Sequence, residues 1–369
     1  MTKIGNKTIG VGLIGYGFAG KTFHAPLIRA VEGLALRAIA SSDAAKVKKD
    51  FPGMTAFADP EEMIRSDEID LIVIATPNDS HAPLARIALE AGRDVVIDKP
   101  FTLDMVEARD LLALAQQHSR LLSVFHNRRW DSDFLAAKFG VESGVLGRVT
   151  HFESHIDRFR PEVRDRWRER SGPGTGVWYD LAPHMIDQAL CLFGLPDDVQ
   201  ANFLLQRPDA QSVDWAHAVL SYPHHRVILH ASMIAAGGVP RFLVHGDKGS
   251  LVKHGIDQQE AQLLRGMLPG TQGWGVDTDR MQIWNAAGEC LGMPTPAGDH
   301  RRYYAAIRDA LQGAAPNPVP PIQGLAVMAV LEAAILSAQS GMRQPVPLTQ
   351  DERGALTASR VPTKSRTHA

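Results

Sequence analysis

Cysteine is nearly absent from this chain: only Cys191 and Cys290 occur, far apart. They match no metal-ligand spacing, and nothing in their placement suggests a disulfide. This usage fits a reducing cytoplasm. A run of about 20 apolar residues is also missing, so no membrane span is expected. The richest window, "GLAVMAVLEAAILSA" from Gly324, is followed by polar residues and reads as a packed helix. The opening "MTKIGNKTIG" holds no apolar stretch of leader length. Excess charge is lacking too. Lys and Arg number 39 against 41 Asp and Glu, a formal net charge of −2, with no long basic run. Nucleic acid is therefore not expected as the main partner. There are 15 histidines but neither HExxH nor paired CxxC, so no metal is expected. No internal repeat occurs.

What is present is a chain of 369 residues, more than one compact core usually absorbs. Its first third alternates β-rich runs with helical windows. "TIGVGLIG", "LALRAIA", "DLIVIAT", "DVVID" and "LLSVF" read as strands. "FAGKTFHAPLIRAV", "DAAKVKKDF", "HAPLARIALEAG" and "LDMVEARDLLALAQQHS" read as the helices between them. Such alternation predicts a doubly wound parallel sheet, a Rossmann-type domain over residues 1–125. The pattern then changes. After a bridging helix at "FLAAKFG", "RVTHFESHIDRF" alternates as a half-solvated strand does. "WAHAVLSYPHHRVILHASM" and "PRFLVHGDKGSLVKH" read as hairpins, the second turning at Asp247, Lys248 and Gly249. Late helices follow at "HRRYYAAIRDALQG" and at the Gly324 window. Residues 126–348 are thus expected to form an α+β domain with an open, mainly antiparallel sheet, and residues 349–369 a tail. Its last stretch, "SRVPTKSRTHA", is expected to fray.

Gly15, Gly17 and Gly20 in "GYGFAG" lie between the first strand and the first helix. Gly15 permits the tight turn, Gly17 lets a pyrophosphate approach, and Gly20 lets helix and strand pack closely. The loop, with Phe18 and Ala19, is expected to hold a dinucleotide at a helix start. An acidic residue at the end of the second strand would bind the ribose hydroxyls of NAD. "AIASSDAAKVKK" places Ser41 and Ser42 there, with Lys46 a turn beyond, which favours NADP over NAD. Asp43 argues the other way, unless Ser41 and Asp43 merely cap the next helix.

Ligands of open α/β sheets lie beyond the carboxyl ends of the strands. Thr76, Pro77 and Asn78 of "ATPNDSH" therefore border the cofactor, together with His81, which also opens the next helix. Lys99 of "IDKPF" emerges at the same edge. There its ammonium can touch the cofactor and stabilise alkoxide charge on a substrate. In "GVWYDLAPHMIDQAL", Asp180 and His184 stand four apart and share one helix face, with Asp187 beyond. The histidine suits a general base, and the carboxylate suits orientation of a substrate hydroxyl or of the imidazole.

Taken together, "GYGFAG", "ATPNDSH", "DKPF" and "DLAPHMIDQAL" resemble the glucose–fructose oxidoreductase/inositol dehydrogenase/rhizopine-catabolism (Gfo/Idh/MocA) family over nearly the whole chain. "FHAPLI", "NRRWD" and "DRFRPEVRDRW" are similar to its NADP-dependent scyllo-inositol dehydrogenase-like members. The resemblance implies a C-terminal domain whose large sheet forms homodimers or homotetramers. It implies Lys99, Asp180 and His184 as the catalytic set. It also brings the segment carrying Arg158, Trp167 and Arg168 to the cofactor or substrate. Asn127 is a further cleft candidate, or a domain hinge with Arg128. Two positions depart from the pattern: Asp98 stands for the usual glutamate, and Ala182 for the subgroup's glycine. The expected function is hydride transfer between NADP or NAD and a secondary alcohol or ketone of a cyclitol or sugar. The alternatives are a non-catalytic dinucleotide-sensing regulator, or a reductase of a dicarbonyl sugar or aromatic diol.

Overall fold

The computed structural model describes residues 8–360. Six strands form the first sheet: β1 (Ile9–Ile14), β2 (Leu34–Ala40), β3 (Thr55–Phe57), β4 (Leu71–Ile74), β5 (Asp94–Ile97) and β6 (Leu122–Val124). Their order is β3-β2-β1-β4-β5-β6, all parallel. Every residue of β1 and β4 is buried, as strands covered by helices on both faces must be. The order reverses between β1 and β4, so a crevice opens beyond their carboxyl ends.

The second sheet has nine strands: β7 (Val149–Asp157), β8 (Asp198–Leu204), β9 (Trp215–Ser221), β10 (Arg226–Ser232), β11 (Phe242–Gly246), β12 (Gly249–Lys253), β13 (Met281–Asn285), β14 (Cys290–Met293) and β15 (Gln344–Pro345). Their order is β14-β13-β12-β11-β7-β10-β9-β8-β15. Only β7 and β10 pair in parallel; the other neighbours are antiparallel. On β7, Phe152, Ser154 and Ile156 point inward and are buried, while His151, Glu153, His155 and Asp157 alternate onto the open face. The hairpins β9–β10 and β11–β12 turn where "YPHH" and "DKG" predict. The short strands β13 to β15 carry no comparable signal.

Three helices cover the inner face of this sheet: Ser132–Glu142 over β11 and β12, Gly176–Phe193 over β9 and β10, and Pro321–Ser340 over β8. The last also packs on the helix Met105–Gln117 and on β6, so it joins the two sheets. By length and composition it is the one helix among the described residues apolar enough to cross a membrane, and most of it is buried here. Both cysteines are free.

One expectation needs correction. The chain past residue 348 does not become a tail at once. Thr349 and Glu352 form a reciprocal capping box that opens the helix Gln350–Ser359. Glu352 pairs with Arg109 at 2.7 Å and Leu356 is buried, so this helix docks on the body. Of the segment expected to fray, residues 361–369 lie outside the described residues.

Candidate active site

The glycine loop follows β1 directly. Gly15 has φ of 95°, and a side chain there would meet the Ala75 carbonyl oxygen at 2.5 Å. A Cβ on Gly20 would lie 2.0 Å from the Gly15 carbonyl oxygen, so helix and loop are in direct contact there. A Cβ on Gly17 would meet nothing within 4 Å. Space is thus open at the position where a pyrophosphate has to approach, and closed at the two positions that only shape the turn. The helix begins at Phe18, with a wide turn over Gly20–His24, and its start supplies unpaired backbone N–H groups. These residues fit a dinucleotide phosphate.

At the end of β2, Asp43 caps the helix Ala44–Asp50 by accepting from the Lys46 backbone N–H at 2.9 Å. The Asp43 N–H in turn donates to Ser41 Oγ at 3.1 Å. The Lys46 ammonium donates to the Tyr16 carbonyl at 3.0 Å and lies 5.4 Å from the Tyr16 ring centroid. A cation therefore stands between the glycine loop and the two serines. Ser42 is exposed.

Residues after β4 take different parts. Thr76 Oγ1 accepts from Ser80 Oγ at 2.7 Å, and Pro77 leads into the short helix Asn78–Ser80. Asn78 is buried and donates to the Gly174 carbonyl at 2.9 Å, which ties this loop to the glycine-rich approach to the helix Gly176–Phe193. His81 is buried with its ring nitrogens 2.9 Å from the Pro100 carbonyl and 3.1 Å from the Thr76 carbonyl. It braces two loops against each other and does not line the cleft.

The cleft has a volume of about 530 Å³. Phe18 and Ala19 of the glycine loop line it, as do Lys99, Asp180 and His184. Lys99 follows β5. Its ammonium donates to the Asp180 carbonyl at 2.5 Å and to the Asp180 carboxylate at 3.0 Å. Arg168 and Arg158 approach the same carboxylate at 3.4 and 3.9 Å. Burial pushes the Asp180 pKa up, but Lys99, Arg168 and Arg158 outweigh it and hold the group well below the usual carboxylate range. Asp180 thus positions Lys99; its contacts are with cations rather than with the imidazole one turn on.

His184 is 6% exposed, and its Nδ1 has no hydrogen-bond partner. Burial first, then Lys99 and Arg128, drive its pKa well below 6.5, so the ring is neutral near pH 7. His126 stands beside it, with ring centroids 6.5 Å apart, and burial pushes its pKa down to about 4. Asp187, on the same helix, is bound by both arms of Arg129 at 2.6 and 2.8 Å and serves the fold. Asp98 accepts the Lys99 backbone N–H at 2.8 Å. Burial raises its pKa, yet His24 and Lys99 bring it down to about 2.

Asn127, Arg158, Trp167 and Arg168 all line the cleft. Asn127 Nδ2 lies 3.3 Å from His300 Nδ1, and Arg168 packs over the Trp167 ring at 4.5 Å. The cleft also holds Arg128, Arg160, Arg164, Arg166 and Glu260, which the sequence reading did not assign to it. For Arg160, Arg164 and Arg166 the signal was the density of arginine in "DRFRPEVRDR", which resembles any solvated loop until the fold turns it inward; Arg128 and Glu260 come from the helices Asn127–Trp130 and Gln259–Leu264.

A phosphate-ready glycine turn, a paired lysine and a neutral histidine in one cleft define a dinucleotide-dependent oxidoreductase. The comparisons with known proteins agree. Residues 9–126 match the oxidoreductase family's NAD-binding Rossmann fold, and residues 138–348 match its C-terminal alpha/beta domain. The chain belongs to the Gfo/Idh/MocA family of NAD(P)-binding oxidoreductases. It is 54% identical over 334 residues to the uncharacterized oxidoreductase YdgJ of Escherichia coli, covering 90% of this chain and 96% of that one. It is 36% identical over 337 residues to scyllo-inositol 2-dehydrogenase (NADP(+)) IolW of Bacillus subtilis, covering 90% and 94%. A crystal structure of a putative oxidoreductase from Klebsiella pneumoniae superposes with a TM-score of 0.92 at 59% identity, covering 96% of this chain and 100% of that one.

Proposed function

We propose that this oxidoreductase moves a hydride between NADP and a secondary alcohol or ketone on a cyclitol or sugar. The carrying observation is the Lys99–Asp180 contact facing a neutral, buried His184 in the cleft that the glycine loop borders. The dinucleotide, when bound, supplies the hydride acceptor or donor. Gly15, Gly17, Phe18, Ala19 and Gly20 would hold its phosphates, with Thr76 and Pro77 at the neighbouring strand end and Lys99 beside the reactive end. Lys99 hydrogen-bonds the substrate oxygen and stabilises its developing negative charge. His184, uncharged at neutral pH, takes the hydroxyl proton in oxidation and returns it in reduction. Asp180 holds the Lys99 ammonium in place before substrate arrives. Asn127, Arg158, Trp167 and Arg168 line the space left for the ring's other hydroxyls.

Ser41, Ser42 and Lys46 support NADP. The serine hydroxyls leave room for a 2′-phosphate, Lys46 supplies a cation, and Asp43 is engaged in capping. IolW, named for NADP(+), points the same way. The open outer face of the nine-stranded sheet is the surface proposed to pair in a homodimer or homotetramer. The free cysteines fit a cytoplasmic setting. A second reading, an acidic sugar as substrate, is favoured by Arg160 and Arg164, neither of which makes an ion pair among the described residues although both line the cleft. A turnover screen at the reduced-nicotinamide absorption band, with NAD and NADP against inositols, neutral sugars and sugar acids, tests all of this. Reaction of a cyclitol or neutral sugar with NADP is the expected result. Reaction of sugar acids alone selects the second reading, and tight NADPH binding without any turnover would make the protein a sensor.

A further inference from the structure

The open face of the nine-stranded sheet carries a cluster that the redox site does not use. His155 and Asp157 lie two apart on β7 and therefore share a face. His230 of β10 is the cross-strand partner of His155. A donor atom from each of the three lies within 4.8 Å of the other two. The separations are 3.6 Å between His230 Nε2 and Asp157 Oδ1, and 3.8 Å between His155 Nδ1 and Asp157 Oδ2. Both are too long for hydrogen bonds. They approach the ~3.4 Å that separates ligands sharing one tetrahedral ion with bonds of about 2.0–2.1 Å. His155 Nδ1 and Asp157 Oδ1 are buried atoms that make no hydrogen bond.

The surroundings complete the pattern. His155 Nε2 donates to Glu153 Oε2 at 2.6 Å, which fixes the tautomer whose Nδ1 lone pair faces Asp157. The Nδ1 atoms of His230 and His217 lie 3.3 Å apart, so a proton on His230 Nδ1 can be donated in a hydrogen bond to His217 Nδ1, which leaves His230 Nε2 free to ligate. A carboxylate behind one ligating histidine and a polar acceptor behind the other are what metal-bound imidazoles have. A second trio, Asp131, Asp257 and His300, also meets the distance condition. There, however, His300 bonds Asp131 directly and Asp257 accepts from Ser132 and Gln259, so the polar atoms are already satisfied.

We propose that His155, Asp157 and His230 form a binding site for a divalent transition metal of the zinc type, its fourth position left for water or for a group from a second copy paired on this face. Two imidazoles and one carboxylate suit Zn²⁺ and Co²⁺ rather than Ca²⁺ or Mg²⁺. The site lies across the sheet from the cleft. An ion there would tie β7 to β10 just before the chain enters the arginine-rich loop that starts at Arg158. The sequence hides it because "HID" offers two ligands and the third comes from a distant hairpin.

The test is Co²⁺ titration of the chelator-treated full chain, read by its visible d–d bands, with Zn²⁺ as competitor. The expected result is about one ion per chain, displaced by Zn²⁺, with a higher melting temperature in Zn²⁺. His230→Ala and Asp157→Asn should weaken Co²⁺ binding more than about 100-fold, Glu153→Gln about 10–100-fold, and exposed His254→Ala not at all. Circular dichroism monitors folding, and the Asp157 and Glu153 variants carry the test if His230→Ala fails to fold. Absence of d–d bands in the parent protein, or binding unchanged in folded Asp157→Asn, would overturn the proposal.

Discussion

Replacing Lys99 with methionine keeps the side-chain stem and removes the ammonium. That ammonium is held by two oxygens of Asp180, at 2.5 and 3.0 Å, so it is fixed before substrate arrives. Loss of one such preorganised donor to a developing oxyanion costs about 10²–10³ in rate, or about 2.7–4 kcal/mol. Asp180 would keep Arg168 and Arg158 as partners, so the fold should survive. A second effect distinguishes an electrostatic role from a merely structural one. After burial, Lys99 is the largest cause of the depressed His184 pKa. In the proposed mechanism the neutral ring is the base, so the parent protein should keep its oxidation rate well below pH 6.5. Without the ammonium the His184 pKa rises, and the acid limb of kcat/KM should move to higher pH. The assay is alcohol oxidation followed at the nicotinamide band from about pH 5 to 9, with circular dichroism as the folding control. A kcat/KM within about threefold of the parent value, or an acid limb that stays in place, would refute the reasoning.

Gly17→Ala should leave the melting temperature nearly unchanged but weaken dinucleotide binding, because its Cβ meets open space. Gly20→Ala should destabilise by about 1–3 kcal/mol in chemical unfolding, because its Cβ would sit 2.0 Å from a carbonyl oxygen. Lys46→Glu should raise the KM for NADP far more than that for NAD, measured in parallel assays. Arg207→Met leaves Glu169 and Asp214 buried without their shared guanidinium, at 3.0 and 2.9 Å in the parent. It should cost about 3–5 kcal/mol by urea unfolding. The His126 pKa falls from 6.5 to about 4, so its contribution to stability is complete above pH 6.5 and is lost as pH drops toward 4. At 1.36 kcal/mol per unit this amounts to about 3 kcal/mol, and His126→Met should flatten the melting temperature over that range.

The Rossmann half was legible because its signals are local. "DLIVIAT" carries the signature of a strand buried on both faces, as β4 is, and "GYGFAG" sits where a strand turns into a helix. Lys99, Asp180 and His184 carried their chemistry in residue type and spacing. Their meeting is a tertiary fact, and so is the finding that Asp180 contacts Lys99 rather than His184. His81 shows the limit of strand-end reasoning: it lies at the expected edge, yet burial and two carbonyls turn it into a brace. The helix after Thr349 was missed because its polar composition offered no apolar stripe; its capping box was there to be read. Arg160, Arg164 and Arg166 lie in one loop whose inward turn is a tertiary fact. The histidines on the open face are brought together by strand pairing that the sequence does not display.

Turnover and dinucleotide affinity measured side by side in His184→Ala bear most directly on the redox role. The expected result is a fall in kcat of about 10²–10⁴ with the dissociation constant for NADPH within about threefold of the parent protein. A variant that turns over at the parent rate, or one that loses NADPH binding along with activity, would contradict it.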